Sequence, residues 1–579
     1  MNVLFRFLKP YWGRCALVLL TVVFDVAGAL LIPTITAGMI NLAVSGGALT
    51  EIAEQGLIML LVSLISGAGP LVGSWVCAGL SADLGRDMRE AVYDKSLAFS
   101  AADFERFGTA SMITRTLNDI NVIQQSFVMT VQMIVPVPIM CVMGIWFSFR
   151  INPSMGLLIL GFTVVLLIAA TMIVRRAEAI FAKLQRFLDR MNVVLRENIT
   201  GVRVIRAFNK EGHETKRMGK TFEDYAQASI RANRLFAGMD SLATVLINFC
   251  VVAILYVGAN QVGLGGMNIG DITAVTEYAI WILFYIMMAQ MVIMMLPRAK
   301  VCLSRIGEIL DLKPEITDGA KTLPLLPQTM GDEVIRLDDV SFRFADADED
   351  ALSHISFACR RGQTTAIIGG TGSGKSTIAQ LILRSHDVTG GKVLLEGTDV
   401  RDIAQNTLRA RVSYVPQRAW LFSGNVAENL RYGAPDASEE ELTHALHVAQ
   451  SDFVLGLPDG LNSHVAQGGT NFSGGQRQRL SIARALAKKA DLYVFDDSFS
   501  ALDFKTDAAL RHALKEEVKD SAVLIIAQRV STILHADQIL VLDDGRVAGL
   551  GRHEELMKSC EVYQEIVRSQ LKGGEASGR

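Results

Sequence analysis

What the chain lacks narrows it first. Its seven cysteines, Cys15, Cys77, Cys141, Cys250, Cys302, Cys359 and Cys560, are odd in number, scattered and without a C-x-x-C pair. That pattern excludes a disulfide framework and a cysteine zinc site. Four of the seven sit in apolar runs, where buried reduced thiols are found. Charge of one sign is missing too. Lys and Arg number 56 against 59 Asp and Glu, a formal net charge of −3, so the electrostatic footprint of a general nucleic-acid binder is absent and no nucleic-acid partner is expected. No secretory signal is expected at the start, because the apolar run beginning near residue 15 is too long for a signal-peptide core and carries Asp25.

What is present divides into two halves. At 579 residues the chain exceeds one typical domain. Its mean hydropathy of +0.32 is high for a soluble protein of this size, and the excess lies before residue 300. Residues 1–12 mix Phe5, Phe7, Leu8, Tyr11 and Trp12 with Arg6 and Lys9, which suits a short helix in a membrane interface. Six apolar runs follow, near 15–40, 56–80, 128–149, 154–174, 240–260 and 274–296. Each has about the 20 residues that a helix needs to cross a hydrocarbon core. The short links 41–55, 150–153 and 261–273 carry one basic residue, Arg150, whereas the long links 81–127 and 175–239 hold Arg86, Arg89, Arg175, Arg176, Arg203 and Arg206. Basic residues accumulate on the cytoplasmic side, which places both termini and both long links inside a cytoplasmic, inner-type cell membrane.

The long links themselves read as helices. Between Arg175 and Arg234 there is no proline, and Ile180, Leu184, Leu188, Met191 and Leu195 recur at three- and four-residue spacing. The spacing predicts helices that run on past the membrane as two projections, after the second and fourth spans, towards a cytoplasmic partner domain. Within the spans, Asp25, Asn248, Glu277 and Gln290 are costly at membrane depth and draw attention to a cavity. Asp25 lies well inside its run. Met287, Met288, Met291, Met294 and Met295 suit a pliable binding surface or ordinary helix packing.

After Pro297 the apolar runs end, a proline-punctuated linker follows over 312–332, and from Glu333 short strands alternate with helical segments. The stretch Gly369-Gly370-Thr371-Gly372-Ser373-Gly374-Lys375-Ser376-Thr377 fits G-x-x-x-x-G-K-[ST] between the strand-like Thr364–Ile368 and the helix-like Ile378–Leu383. Glycines in such a loop let backbone N–H groups close around phosphates, Lys375 would reach the β- and γ-phosphates of ATP, and Ser376 would hold Mg²⁺. Leu492–Asp496 reads as a buried strand ending in the carboxylates Asp496 and Asp497, the first placed to hold Mg²⁺ through its water shell. Gln417 and Gln528 end two further strands, Ser473-Gly474-Gly475-Gln476 precedes a helix, and Ser500-Ala501-Leu502-Asp503 follows the carboxylates.

The ordered set resembles the ATP-binding cassette of ABC transporters. On that resemblance Gln417 is the glutamine-loop residue, at the metal and the catalytic water; Ser473–Gln476 is the signature; Asp496 ends Walker B; Ser500–Asp503 is the D-loop; Gln528 stands at the switch position; and Phe344 is the aromatic that stacks on adenine. The front half is similar to the membrane domain of exporter-type half-transporters. The implied fold is a six-helix membrane domain (1–311), a linker (312–332) and an α/β P-loop nucleotide-binding domain (333–579).

Besides Phe344, where the family more often has tyrosine, two catalytic positions depart from the family pattern. Asp497 stands where the family has glutamate, shorter by roughly 1.5 Å, one carbon–carbon bond. Gln528 stands where the family has histidine and cannot exchange protons as an imidazole does. A general base must come within about 3 Å of its proton or act through one water, and a misplacement of about 1 Å costs on the order of 10²-fold. The resemblance then implies a heterodimer whose degenerate site binds ATP here and whose competent site, on a second half-transporter chain, borrows this chain's signature. A homodimer with two slow sites is the alternative. The implied cargo is a small hydrophobic or amphipathic molecule moved across the bilayer; uptake, as in siderophore importers of this shape, and a non-transporting ATP-gated subunit stay open.

Overall fold

The computed structural model describes residues 2–293, 295–319, 332–345 and 347–576. They form two compact units, Met1–Ala98 with Phe107–Lys313, and Phe99–Arg106 with Pro314–Arg579. Most of the expected linker over 312–332, and Met294 of the methionine-rich stretch, lie outside the described residues.

The first unit is helical. A helix at Asn2–Leu8 and a 3₁₀ turn at Lys9–Tyr11 lead into α1 (Trp12–Val44). Then come α2 (Leu49–Leu97), the helical run α3 (Thr109–Ile151), α4 (Pro153–Thr200), α5 (Glu211–Gly263) and α6 (Ile269–Ile293). All six carry segments long and apolar enough to cross a membrane, matching the six apolar runs. The break between α3 and α4 is set locally. Asn152 leaves helical geometry and accepts a hydrogen bond from the Ser154 N–H at 2.9 Å, with Pro153 at the first helical position. Helices α4 and α5 have 48 and 53 residues, hence lengths of roughly 70–80 Å at 1.5 Å per residue. That is more than twice a hydrocarbon core of about 30 Å, so the projection expected after the fourth span continues spanning helices; α2, with 49 residues, likewise runs on past its span into the first.

Close helix approach depends on small residues. A methyl group added at Gly28 would lie 2.0 Å from the Ser66 Cβ, and one at Gly73 would meet the Thr21 hydroxyl at 2.4 Å, so α1 and α2 touch where only glycine fits. Polar groups in the spans are paired across helices. The Tyr278 and Thr34 hydroxyls lie 2.6 Å apart, and Asn41 donates to Asp271 at 3.0 Å while accepting from the Gly270 N–H at 2.8 Å.

The second unit contains β1 (Glu333–Phe342), β2 (Leu352–Arg360), β3 (Thr364–Gly369), α7 (Lys375–Ile382), β4 (Gly390–Leu395), β5 (Thr398–Asp399), β6 (Val412–Val415), α8 (Gly474–Ala487), β7 (Leu492–Asp496), β8 (Ala522–Ile526), β9 (Gln538–Asp543), β10 (Arg546–Gly551) and α9 (Glu561–Ala576). An antiparallel sheet runs β2-β1-β4-β5, and a larger sheet runs β10-β9-β3-β8-β7-β6. The larger sheet is parallel apart from β10. In register, Ile525 faces Ala366 on one side and Phe495 on the other. Ala366, Ile367, Ile368, Val494 and Phe495 are fully buried, as strands covered on both faces require. One consequence matters most: the C-terminal ends of β3, β8, β7 and β6 come out along one edge, where ligands bind in open parallel sheets.

A charge network joins segments that are distant in sequence. The Arg411 guanidinium, 3% exposed, pairs with Asp491 at 2.6 Å and Glu396 at 2.7 Å, and Arg361 pairs with the same two carboxylates at 2.9 and 2.7 Å. Burial alone would raise Glu396; the two arginines hold it below the usual carboxylate range. A depressed carboxylate stabilises the fold above its unfolded pKa, and that contribution is lost as pH falls through the folded value. Asp491→Ala leaves Arg361 and Arg411 sharing Glu396 alone, one buried positive charge in excess, and is expected to cost about 3–5 kcal/mol. Thermal unfolding of the full chain checks this, and a cost below about 1 kcal/mol would mark the network as a solvated one.

Candidate functional site

The site is built where β3 turns into α7. Gly369 ends the strand, Gly370–Gly374 form the loop, and Lys375, Ser376 and Thr377 open the helix. Two glycines are required by the backbone. Gly372 and Gly374 sit at φ of +86° and +88°, and a methyl group on Gly374 would strike the Ala351 carbonyl at 2.8 Å. Thr371 and Ser373 lie within the loop, and the Ser373 hydroxyl donates to the Gly370 carbonyl at 2.9 Å. The Lys375 ammonium is folded into the same turn, donating to the Gly369 carbonyl at 3.0 Å and the Gly370 carbonyl at 2.5 Å. Burial lowers its pKa, opposed by Asp497 and Asp496. The loop therefore gathers N–H donors, a helix N-terminus and a partly desolvated cation.

Across the sheet stands Asp496, 3% exposed at the end of β7. It accepts from the Ser376 hydroxyl at 2.9 Å and from the Tyr414 hydroxyl at 3.3 Å. Burial raises its carboxyl above the ordinary range, with those two hydroxyls opposing. Burial, and then Asp496, push the Tyr414 phenol upward as well, so Tyr414 remains a donor. A hydroxyl and a carboxylate so close form an oxygen donor pair that fits Mg²⁺, which takes a few protein oxygens and fills its octahedron with phosphate and water. Among the described residues no cluster of three His, Cys, Asp or Glu side chains forms a metal site of its own.

Asp497 follows in the left-handed region at φ +45°, a conformation aspartate tolerates better than most side chains. Its N–H donates to the Ile526 carbonyl at 2.8 Å, and its carboxylate accepts from the Gln417 amide at 3.3 Å. Gln417 and Asp497, read separately from the sequence, thus meet. Gln528 is exposed just beyond β8. Phe344 is half-buried, edge-on to Phe342 with ring centres 4.8 Å apart and 5.6 Å from the ring of His386. Ser473 caps α8 through a reciprocal box with Gln476, accepting from its N–H at 3.3 Å while its own N–H donates to the Gln476 side chain at 2.9 Å. Gly474 opens that helix, and Gly475 lies against the Ala501 carbonyl. The Ser473 carbonyl accepts from the Arg477 N–H at 2.9 Å, and the side chains of Ser473 and Gln476 bond to each other's backbone.

Two contributors escaped the sequence reading. Tyr414 shares Asp496, although only its place on a strand before Gln417 hinted at it. Gln570 on α9 clasps the segment after β8. Its amide donates to the Gln528 carbonyl at 2.8 Å, and its oxygen accepts from the Val530 N–H at 2.8 Å. No local motif announces that contact.

A phosphate-binding loop facing a buried carboxylate across a parallel sheet, with a capped signature helix in the same unit and six membrane-spanning helices in the other, defines a membrane transport ATPase. Comparison with known proteins gives the family. Residues 15–287 match the ABC transporter transmembrane region and residues 352–500 match the ABC transporter domain. The chain is 37% identical to an uncharacterized ABC transporter ATP-binding protein of Mycobacterium bovis, over 97% of both chains. It is 28% identical to an ATP-dependent lipid A-core flippase of Chromobacterium violaceum, over 97% of this chain and 96% of that one. It is also similar to the structure of a bacterial Atm1-family ABC exporter with ATP bound, with a TM-score of 0.80, 25% identity and coverage of 96% and 98% of the two chains. The chain belongs to the ABC transporters. It is an integral membrane protein of the exporter-type half-transporter fold, an ATPase coupled to transport.

Proposed function

We propose that this chain is one half of an ATP-driven exporter in a cytoplasmic membrane, with both termini inside, moving a small hydrophobic or amphipathic molecule outward. Its own nucleotide site is slow, and it lends its signature to a faster site on a different half-transporter. The observation that carries this reading is the pairing of Asp497 with Gln417 at 3.3 Å, beside an exposed Gln528, in a cassette whose signature cap is fully formed. The relatives support the cargo class, one being named a lipid A-core flippase. The helix Val202–Ala207 at the tip of the α4–α5 projection supports a second chain. Around it Val204 and Phe208 are 61% and 71% exposed, apolar surface that a partner would cover.

In this reading the backbone N–H groups of Gly370–Gly374 and the Lys375 ammonium bind the phosphates, Phe344 stacks on the base, and Ser376 with Asp496 and Gln417 positions Mg²⁺. Bound ATP supplies a phosphoryl group whose transfer to water resets the cycle. Gln417 holds Asp497 in place, and Asp497 orients a water only through a longer reach than a glutamate would need. Ser473, Gly474, Gly475 and Gln476 present a helix N-terminus and hydroxyl towards the partner's nucleotide.

Reconstitution of the two chains in proteoliposomes tests the proposal. ATP on the cassette side is expected to drive efflux of amphipathic dyes or fluorescent lipids only when both chains are present. Uptake instead of efflux makes it an importer, full activity of this chain alone makes it a homodimer, and ATP binding without flux makes it a regulatory subunit; each replaces the reading.

A further inference from the structure

Around Asp25 the first unit forms an open-sided pocket of about 330 Å³, lined by α1, α2, the middle of α3, and α6. That is within the range that takes a small organic ligand. Asp25 lies on α1 about 20 Å along the axis from Trp12, deep in the first apolar run. Its carboxylate is half-buried and accepts from the Tyr285 hydroxyl at a long 3.4 Å. The residues lining the cavity include no lysine, arginine or histidine. An acid at this depth normally finds a counter-charge or serves a pathway. Here the wall offers aromatic and thioether surface instead: Phe284, Tyr285 and Met288 from α6, with the Phe284 and Tyr285 ring centres 6.3 Å apart.

The backbone is irregular at the same place. Pro70, inside α2, lines the cavity and removes a hydrogen bond from that helix. Val131, Gln132 and Met133 of α3 line it from a π-helical turn at Thr130–Ile134, a distortion that recurs at functional sites. Two helices thus give up regular geometry where they face an acid without a basic partner in the wall.

From this geometry we infer that the Asp25 cavity is a binding site for a small organic cation, a substituted ammonium whose charge meets the Asp25 carboxylate and whose alkyl or aryl body packs on Phe284, Tyr285 and Met288. The inference deepens the transport reading above by naming the chemical class of the cargo.

The test uses the full chain in nanodiscs without nucleotide. Radiolabelled benzyltrimethylammonium is titrated in, and in parallel neopentylbenzene, which has the same shape with carbon in place of the charged nitrogen. Binding is counted over empty nanodiscs. Saturable cation binding is expected, weakened about tenfold or more by Asp25→Asn and retained by Asp25→Glu, with neopentylbenzene indifferent to both. Phe284→Leu is expected to weaken the cation about two- to fivefold, which keeps the proposal testable if the Asp25 variants do not assemble. No saturable cation binding, cation binding unchanged by Asp25→Asn and Phe284→Leu, or equal losses for both ligands, overturns it. Neither ATP nor flux enters this assay, so its failure leaves the transport reading standing, and failure of transport leaves the site standing.

Discussion

Lys375→Ala lowers the affinity of this chain for ATP by about 10- to 150-fold, the loss expected when hydrogen bonds from a cation to phosphate, about 1.5–3 kcal/mol, are removed. The expectation follows from the loop's construction. Gly372 and Gly374 hold left-handed backbone, so the loop keeps its shape without Lys375, whose ammonium lies 3.0 and 2.5 Å from the Gly369 and Gly370 carbonyls. Its pKa is lowered by burial against the pull of Asp497 and Asp496, so it is poised to gain from a phosphate charge more than a solvated lysine would. Equilibrium binding of labelled ATP to the full chain measures the effect. Unchanged affinity would move the nucleotide elsewhere and remove the basis for every role assigned to Gly369–Thr377.

Much of this was legible in residues because the physics is local. A phosphate loop needs its glycines and lysine at fixed spacing, a membrane helix needs about 20 apolar residues in a row, and a long projection needs helical periodicity without proline, as in Arg175–Arg234. The contacts that were not legible are those set by strand order. Ser376 meets Asp496 because β8 lies between β3 and β7 in a common sheet. Gln417 meets Asp497 because β6 lies beside β7. Tyr414 and Gln570 reach the site from 82 and 42 residues away in sequence from their partners Asp496 and Gln528, and no spacing rule connects such positions. Asp25 was visible as an acid in an apolar run, but the cavity around it depends on Pro70 and a π turn in separate helices. The Arg361, Glu396, Arg411 and Asp491 network is equally invisible locally, since three of its members look like ordinary surface charges on loops.

On the proposed division of labour, removing the carboxylate at position 497 is expected to change turnover of the assembled pair by less than about threefold, and disabling the signature to remove most of it. Asp497 is shorter than a glutamate by one carbon–carbon bond, roughly 1.5 Å, and a shortfall of about 1 Å already costs on the order of 10²-fold. Its carboxylate is further engaged by Gln417, and the residue at the switch position has no imidazole. Little hydrolysis at this site therefore remains to be lost in Asp497→Asn. The signature is different. Ser473 and Gln476 form a reciprocal cap at the start of α8, and on the proposed reading that helix N-terminus stabilises charge developing on the partner's nucleotide. A preorganised donor of that kind is worth about 10²–10³ in turnover. Gly474→Asp, which sets a negative charge where phosphate would approach, is expected to abolish most phosphate release at saturating ATP, and Ser473→Ala to reduce it. Steady-state phosphate release from the reconstituted pair, each variant on this chain only, decides the matter. If Asp497→Asn silences the pair while the signature variants keep turning over, the division of labour is reversed: Asp497 is then the working base, and this chain carries the catalytic site.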